Sequence, residues 1–151
     1  MRLTAFTDYT LRTLIYLAVR PEKLVTIADI AAAYDVSANH LMKVVHQLAQ
    51  AGDITTIRGQ RGGLRLARPS EEINLGSVVR RTEPDLELVA CFGDGQRCVI
   101  QQGCVLQRAL DQALQAFLAV LDRYTLADLV APRLDLAGWL GMTQQPEPRI
   151  V

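Results

Sequence analysis

One stretch constrains this chain more than any other: TIADIAAAYDVSANHLMKVVHQLAQAGDI, beginning at Thr26 and followed without a break by TTIRGQRGGLRLARP. Thr26 is a capping residue ahead of a short helix whose apolar face is Ile27, Ile30 and Ala31. Asp35-Val36-Ser37 reads as a tight turn, after which Ser37 caps a second helix with Leu41, Val44, Val45 and Leu48 facing inward. Gly52 ends that helix, because glycine adopts the left-handed conformation of a C-terminal cap without steric cost. Two short helices joined by a tight turn, with small alanines where they cross, make a helix-turn-helix. Next, Ile54–Ile57 and Leu64–Ala67 are strand-like, and the six residues between them, Arg58-Gly59-Gln60-Arg61-Gly62-Gly63, hold three glycines and two arginines. That is a hairpin with a basic tip. The expected fold class is mainly α with a small β-hairpin wing: a winged helix-turn-helix domain.

The flanks extend this unit. Phe6, Leu11, Leu14, Ile15, Leu17 and Ala18 recur at near-helical spacing until Pro21. Residues 73–82 form another short helix, stopped near Pro84, and a glycine-bearing segment with Gly93, Gly95 and Gly103 follows. From Val105, Leu106, Leu110, Ala113, Leu114, Phe117, Val120 and Leu121 recur at three- and four-residue steps. This predicts an amphipathic helix of roughly 20 residues, about 30 Å long. Thr125 and Asp128 make a capping-box-like pair for one short further helix. The end, GMTQQPEPRIV, has two prolines and little to bury, and is expected to be disordered. The chain thus divides into a winged unit (1–83), a cysteine-bearing loop (84–104), a long helix with a short terminal helix (105–140) and a tail (141–151). A winged unit needs no partner as long as the 105–121 stripe, so a homodimer is expected, with two recognition helices about 34 Å apart on a palindromic site.

Charge agrees with a nucleic-acid partner. The net charge is zero, yet residues 1–68 carry nine Lys/Arg against five Asp/Glu, and residues 69–151 carry seven against eleven. In a winged helix-turn-helix the N-terminal residues of the second helix reach base edges in the major groove. Here these are Ser37, Ala38, Asn39 and His40, with Lys43 one turn later. Asparagine pairs bidentately with adenine and alanine touches a thymine methyl. Arg58, Arg61 and Arg65 are placed to reach phosphates or the adjacent minor groove. His46, six residues after His40, lacks the spacing of a helical metal pair and reads as structural or solvent-facing. No acid, base or nucleophile constellation points to an enzyme. No apolar run reaches the roughly 18 residues of a membrane span. The start carries Asp8 and Arg12 within its apolar stretch and has no cleavage pattern, so a cytoplasmic protein is expected.

The three cysteines, Cys91, Cys98 and Cys104, all lie within CFGDGQRCVIQQGC. An odd number argues against a closed disulfide framework. Thiolates this close in sequence suit zinc or an iron–sulfur cluster. The spacing is not a C-x-x-C knuckle and no histidine lies nearby, so a fourth ligand has to come from elsewhere. The glycines open backbone N–H groups to approach sulfur, and Cys104 begins the long helix, where the positive end of the dipole favours a thiolate. Unligated thiols, or a thiol sensor, remain the alternative on spacing alone.

LTAFTDYTLRTLIYLA, VSANHLMKVVHQLAQAG, IRGQRGGLRLARP and YTLADLV, with the three cysteines and the long helix in order, resemble the NsrR family of dimeric, nitric-oxide-sensing, iron–sulfur winged-helix repressors. The resemblance runs from Met1 to about Leu140. It implies a transcriptional repressor that loses operator affinity on nitrosylation. It also implies one iron–sulfur cluster per subunit, 4Fe-4S first and 2Fe-2S as the alternative. The ligands implied are Cys91, Cys98, Cys104 and, from the first helix of the other subunit, Asp8, with Arg12 one turn on beside that carboxylate. A relative that regulates iron–sulfur assembly carries a histidine ligand three residues after its last cysteine, where this chain has Gln107. An iron- or redox-responsive repressor and a zinc-stabilised DNA-binding protein are the competing readings.

Overall fold

Helix α1 (Ala5–Val19) is the element around which the others assemble. The computed structural model describes residues 2–93, 98–100 and 103–142. Thr4 starts α1 by accepting a hydrogen bond from the Thr7 N–H. Leu14, Leu17, Ala18 and Val19 enter the core, as the apolar spacing requires. Threonine is a modest helix former, yet α1 also buries Thr7, Thr10 and Thr13. The Thr7 hydroxyl donates to that of Thr82 at 2.9 Å and so fastens α1 to α4 (Leu75–Thr82). Glu83 adds a second tie, accepting from the Thr4 N–H and hydroxyl at 2.8 and 3.1 Å.

Helices α2 (Ile27–Tyr34) and α3 (Ala38–Gln50) form the helix-turn-helix. Thr26 and Asp29 close a reciprocal capping box at the start of α2. The chain turns at Asp35, whose left-handed conformation (φ 52°, ψ 52°) lets it reverse direction at once. Ser37 occupies the capping position of α3, but its side chain makes no cap hydrogen bond. The His40 and Leu41 N–H groups go to the Ser37 backbone carbonyl instead, at 3.1 and 3.2 Å. Leu41, Val44, Val45 and Leu48 face the core. α3 ends in a Schellman motif: Gly52 has φ 74°, the Gly52 N–H donates to Ala49 and the Asp53 N–H to Leu48.

The wing is an antiparallel pair, β1 (Ile54–Ile57) and β2 (Gly63–Leu66), with Ile54 opposite Leu66 and Ile57 opposite Gly63. Pairing begins at Gly63 rather than Leu64, so the tip spans 58–62. On its other edge β2 is bridged by Val25, which exchanges hydrogen bonds of 3.0 and 2.7 Å with Leu64. A Cβ on residue 63 would lie 3.0 Å from the Val25 carbonyl, so glycine lets that segment close onto the hairpin. The base of the wing is held by Asp53, wholly buried, whose carboxylate takes guanidinium groups of both Arg68 and Arg81. Arg81 comes from α4, so this one carboxylate joins α3, the wing and α4.

The rest of the chain folds back onto this domain. α5 (Val105–Leu121) has 17 residues, about 25 Å of helix. Its end is secured on α4: Asn74 donates to the Asp122 carbonyl at 2.7 Å, and Arg80 grips the Asp122 carboxylate with contacts of 2.6 and 2.8 Å. Beyond it stand two short helices rather than one, α6 (Leu126–Leu129), started by the Thr125–Asp128 capping box, and α7 (Arg133–Trp139), which begins after Pro132. Leu126 and Met142 are buried in the same core as α1. Gly141 (φ 65°) closes α7, and the Met142 N–H donates to the Ala137 carbonyl at 2.9 Å. Gly141 and Met142 therefore belong to the fold, and the rest of the expected tail, 143–151, lies outside the described residues. No helix among the described residues is long and apolar enough to cross a membrane.

Candidate functional site

The first turn of α3 stands clear of the core. Ser37, Ala38, Asn39 and His40 are all exposed, and so are Lys43 and His46 on the following turns. No carboxylate occurs in α3, and its only formal charge is Lys43. The His40 ring stacks on Tyr9 of α1, with centroids 6.0 Å apart and planes 26° apart. On the wing, Arg58 and Arg61 are exposed in the 58–62 tip, and Arg65 is exposed on β2 opposite Thr55. Glycine is required at 62, where a Cβ would lie 2.2 Å from the Ile57 carbonyl oxygen. These nine residues form two exposed groups, one on α3 and one on the wing, joined at the wing base by Asp53.

The cysteines lie on the far side of α4 in sequence. Cys91 is half-buried in a single helical turn, Ala90–Phe92, Cys98 is exposed, and Cys104 caps α5. None is in a disulfide. The Cys104 sulfur accepts the Gln107 N–H at 3.4 Å, so the positive end of α5 is directed at it. The Gln107 side chain donates to the Cys91 carbonyl at 3.4 Å, which ties Cys91 to the same turn of α5. The hydrogen bond to sulfur thus comes from a helix N-terminus and not from a glycine among the described residues; Gly95 lies outside them. Gly93 serves packing instead: a Cβ there would meet the Glu87 carboxylate at 2.6 Å.

Among the described residues, no three His, Cys, Asp or Glu side chains gather closely enough in one chain to hold a metal ion. Asp8 lies in the first turn of α1, half-exposed, and pairs with Arg12 through contacts of 3.0 and 2.9 Å. The Arg12 guanidinium also lies 5.6 Å from the ring centroid of Tyr34, the last residue of α2. Burial pushes the Tyr34 hydroxyl up to about 12, with the Arg12 charge acting the other way. The thiol donors suit a soft metal group: three free cysteines, with the Cys104 sulfur at the start of α5 and the Cys91 backbone held to the same turn.

Four contacts were not legible in the sequence: Gln107 joining Cys91 to Cys104, Tyr9 on His40, Arg12 on Tyr34, and the double use of Asp53. Only Asp53 left a signal, as a lone carboxylate between a helix-ending glycine and a strand.

The sequence profile of Rrf2, described as an iron-dependent transcriptional regulator, matches residues 3–132. The chain belongs to the Rrf2 family. Among its Rrf2-type relatives, the HTH-type transcriptional regulator NsrR of Bacillus subtilis (strain 168) is 50% identical over 146 residues, 95% of this chain and 100% of that protein. NsrR of Shouchella clausii (strain KSM-K16) is 48% identical over 142 residues, covering 93% and 95% of the two chains. Among solved structures, CymR (YrzC), the global cysteine regulator of B. subtilis, superposes with a TM-score of 0.71 at 26% identity, over 87% of this chain and 97% of that one. T. potens IscR gives 0.68 at 26% identity, over 95% and 93%. The winged-helix fold is thus that of Rrf2 regulators. The family and these relatives are described as transcriptional regulators.

Proposed function

We propose that this chain is a cytoplasmic, homodimeric transcriptional repressor that binds a palindromic operator and releases it in response to nitric oxide. The sensing group in this reading is an iron–sulfur cluster, one per subunit, 4Fe-4S in preference to 2Fe-2S. Cys91, Cys98 and Cys104 hold it, together with Asp8 of the partner subunit. When bound, such a cluster supplies iron that reacts with nitric oxide, and the iron held by a carboxylate is the weakly ligated one.

The observation that carries this reading is that the Cys91 backbone carbonyl and the Cys104 sulfur both accept hydrogen bonds from Gln107 at the head of α5, in a chain half identical to NsrR regulators. α5 presents a second face besides the one buried on its own domain. Leu114 and Leu118 are buried within the chain. Leu106, Leu110, Ala113, Phe117 and Val120 recur at four–three–four–three steps on another side, and Leu106 is 65% exposed. That is the seam of a two-helix contact, and a second copy of α5 is its natural occupant. In this reading Asp8 of the partner subunit supplies the fourth donor beside the three thiolates.

The remaining residues connect the two ends of the molecule. Arg12 holds the Asp8 carboxylate and lies on Tyr34, directly before the turn into α3, while Tyr9 stacks on His40. A change in what Asp8 binds is therefore felt at both ends of the α2–α3 turn. Ser37, Ala38, Asn39, His40 and Lys43 read the major groove, and Arg58, Arg61 and Arg65 clamp the backbone or minor groove. A loss of about 3 kcal/mol in the operator complex lowers affinity more than a hundredfold.

Cys98→Ala tests the reading, since Cys98 is exposed and its loss leaves no cavity. Visible absorbance and cluster-dependent operator binding are expected to disappear together. A variant that still represses and still responds to nitric oxide refutes the scheme. Asp8→Ala is expected to leave a more labile cluster, and an unchanged spectrum and lifetime would remove Asp8 from the site. The description of the family as iron-dependent favours a second reading, in which iron supply rather than nitric oxide empties the same site.

A further inference from the structure

The exposed face of α3 carries one residue that DNA recognition by polar contacts leaves unused. Met42 is 51% exposed, although it lies between Asn39, Lys43 and His46 on a helix whose other apolar residues of comparable size are buried. It does not stand alone. Phe6, from the first turn of α1, lines the same open concavity as Met42, with Asn39, Lys43, His46 and Gln50 around the rim. The lining is mainly apolar and includes no carboxylate. An apolar hollow edged by an amide, an ammonium and an imidazole is a poor site for a protein surface of mixed charge. It suits a base edge that offers a methyl group beside hydrogen-bond acceptors, with phosphates behind it.

We infer that Met42, backed by Phe6, is a specificity-determining contact that receives the 5-methyl group of an operator thymine. Asn39, one helical turn earlier, pairs with a neighbouring adenine, so the two side chains together read a short A·T element. This deepens the DNA-binding function proposed above and rests on it. Methionine is unbranched and polarizable, and it follows the shape of a methyl group closely. The contact is read by shape alone, and no proton or charge is exchanged.

The test uses the full-length, anaerobically purified protein and a duplex enriched by that protein from a randomised pool. Each thymine of the enriched duplex is replaced in turn by deoxyuridine, which removes only the methyl group. At one position per half-site the wild type is expected to lose about fourfold in affinity, the value of one buried methyl-sized group. Met42→Ala, which removes the contact from both half-sites of the homodimer, is expected to bind the thymine duplex about sixteenfold more weakly and to be indifferent to deoxyuridine at that position. Asn39→Ala, weaker throughout, is expected to keep its sensitivity there. Met42→Ala with the full wild-type response to deoxyuridine overturns the inference, as does a wild type indifferent at every thymine. A pool from which nothing is enriched overturns the DNA-binding reading itself, and the methyl contact with it.

Discussion

Asp53→Ala removes the carboxylate on which α3, the wing and α4 converge. Asp53 is wholly buried, whereas the side chains of Arg68 and Arg81 are 34% and 30% exposed. That asymmetry sets the magnitude. Deleting one member of a fully buried pair costs about 3–5 kcal/mol, because the other charge is stranded. Here both guanidinium groups are able to turn towards water, so the loss is nearer that of two charge-assisted hydrogen bonds, about 1.5 kcal/mol each at the low end. A destabilisation of about 3 kcal/mol is expected, which for a chain of this size lowers the thermal midpoint by roughly 6–12 °C. Calorimetry and urea titration of wild type and variant check it. The operator affinity should fall too, because the wing loses its tie to α4, while visible absorbance per iron stays unchanged. A midpoint within about 2 °C of wild type would show that burying the carboxylate costs as much as its two partners return, and the anchoring role would be refuted.

Ala113→Glu, at the centre of the outward seam of α5, is expected to raise the dimer dissociation constant more than about a hundredfold by burying an unpaired charge; sedimentation that still shows a dimer at micromolar protein contradicts the seam. Gly62→Ala forces a Cβ against the Ile57 carbonyl oxygen at 2.2 Å and should reshape the wing tip. Operator binding is expected to weaken by about tenfold, of the order of one lost arginine contact, with the cluster spectrum intact; unchanged binding would remove the tip from the interface. The Tyr34 hydroxyl, raised from 10.0 to about 12 by burial, favours the neutral form in the fold. Its contribution to stability is complete below pH 10 and is lost as pH rises through 12, so the tyrosinate difference spectrum between wild type and Tyr34→Phe should titrate near pH 12. A midpoint near 10 would place Tyr34 in water.

The parts of the fold that were legible in the sequence are those fixed by local chemistry. Thr26 with Asp29, Thr125 with Asp128, and Gly52 after α3 announce helix ends because their partners lie within a few residues. The wing was visible because three glycines and two arginines at a turn leave few alternatives. Ser37 shows the limit of such rules: a capping residue type occupies the capping position, but backbone bonding there leaves its side chain without a cap role. Long-range contacts left little trace. Asp53 with Arg81, Glu83 with Thr4 and Asn74 with the end of α5 join residues 28 to 79 positions apart, and no spacing rule connects them. Met142 follows the same pattern: it joins the core of α1, a contact that its polar neighbours in sequence do not announce. In the candidate metal loop, the cysteines were plain, but the role of Gln107 between them depends on where α5 begins.

The central claim is that the thiolates and the DNA-reading face belong to one switch. Visible spectra and operator affinity of the anaerobically purified wild type, recorded on the same samples during titration with nitric oxide, test it most directly. The account predicts iron–sulfur absorbance that declines in step with operator affinity, to a final loss of more than about a hundredfold. Colourless protein with full operator affinity, or a cluster that reacts while the affinity stays constant, would contradict it.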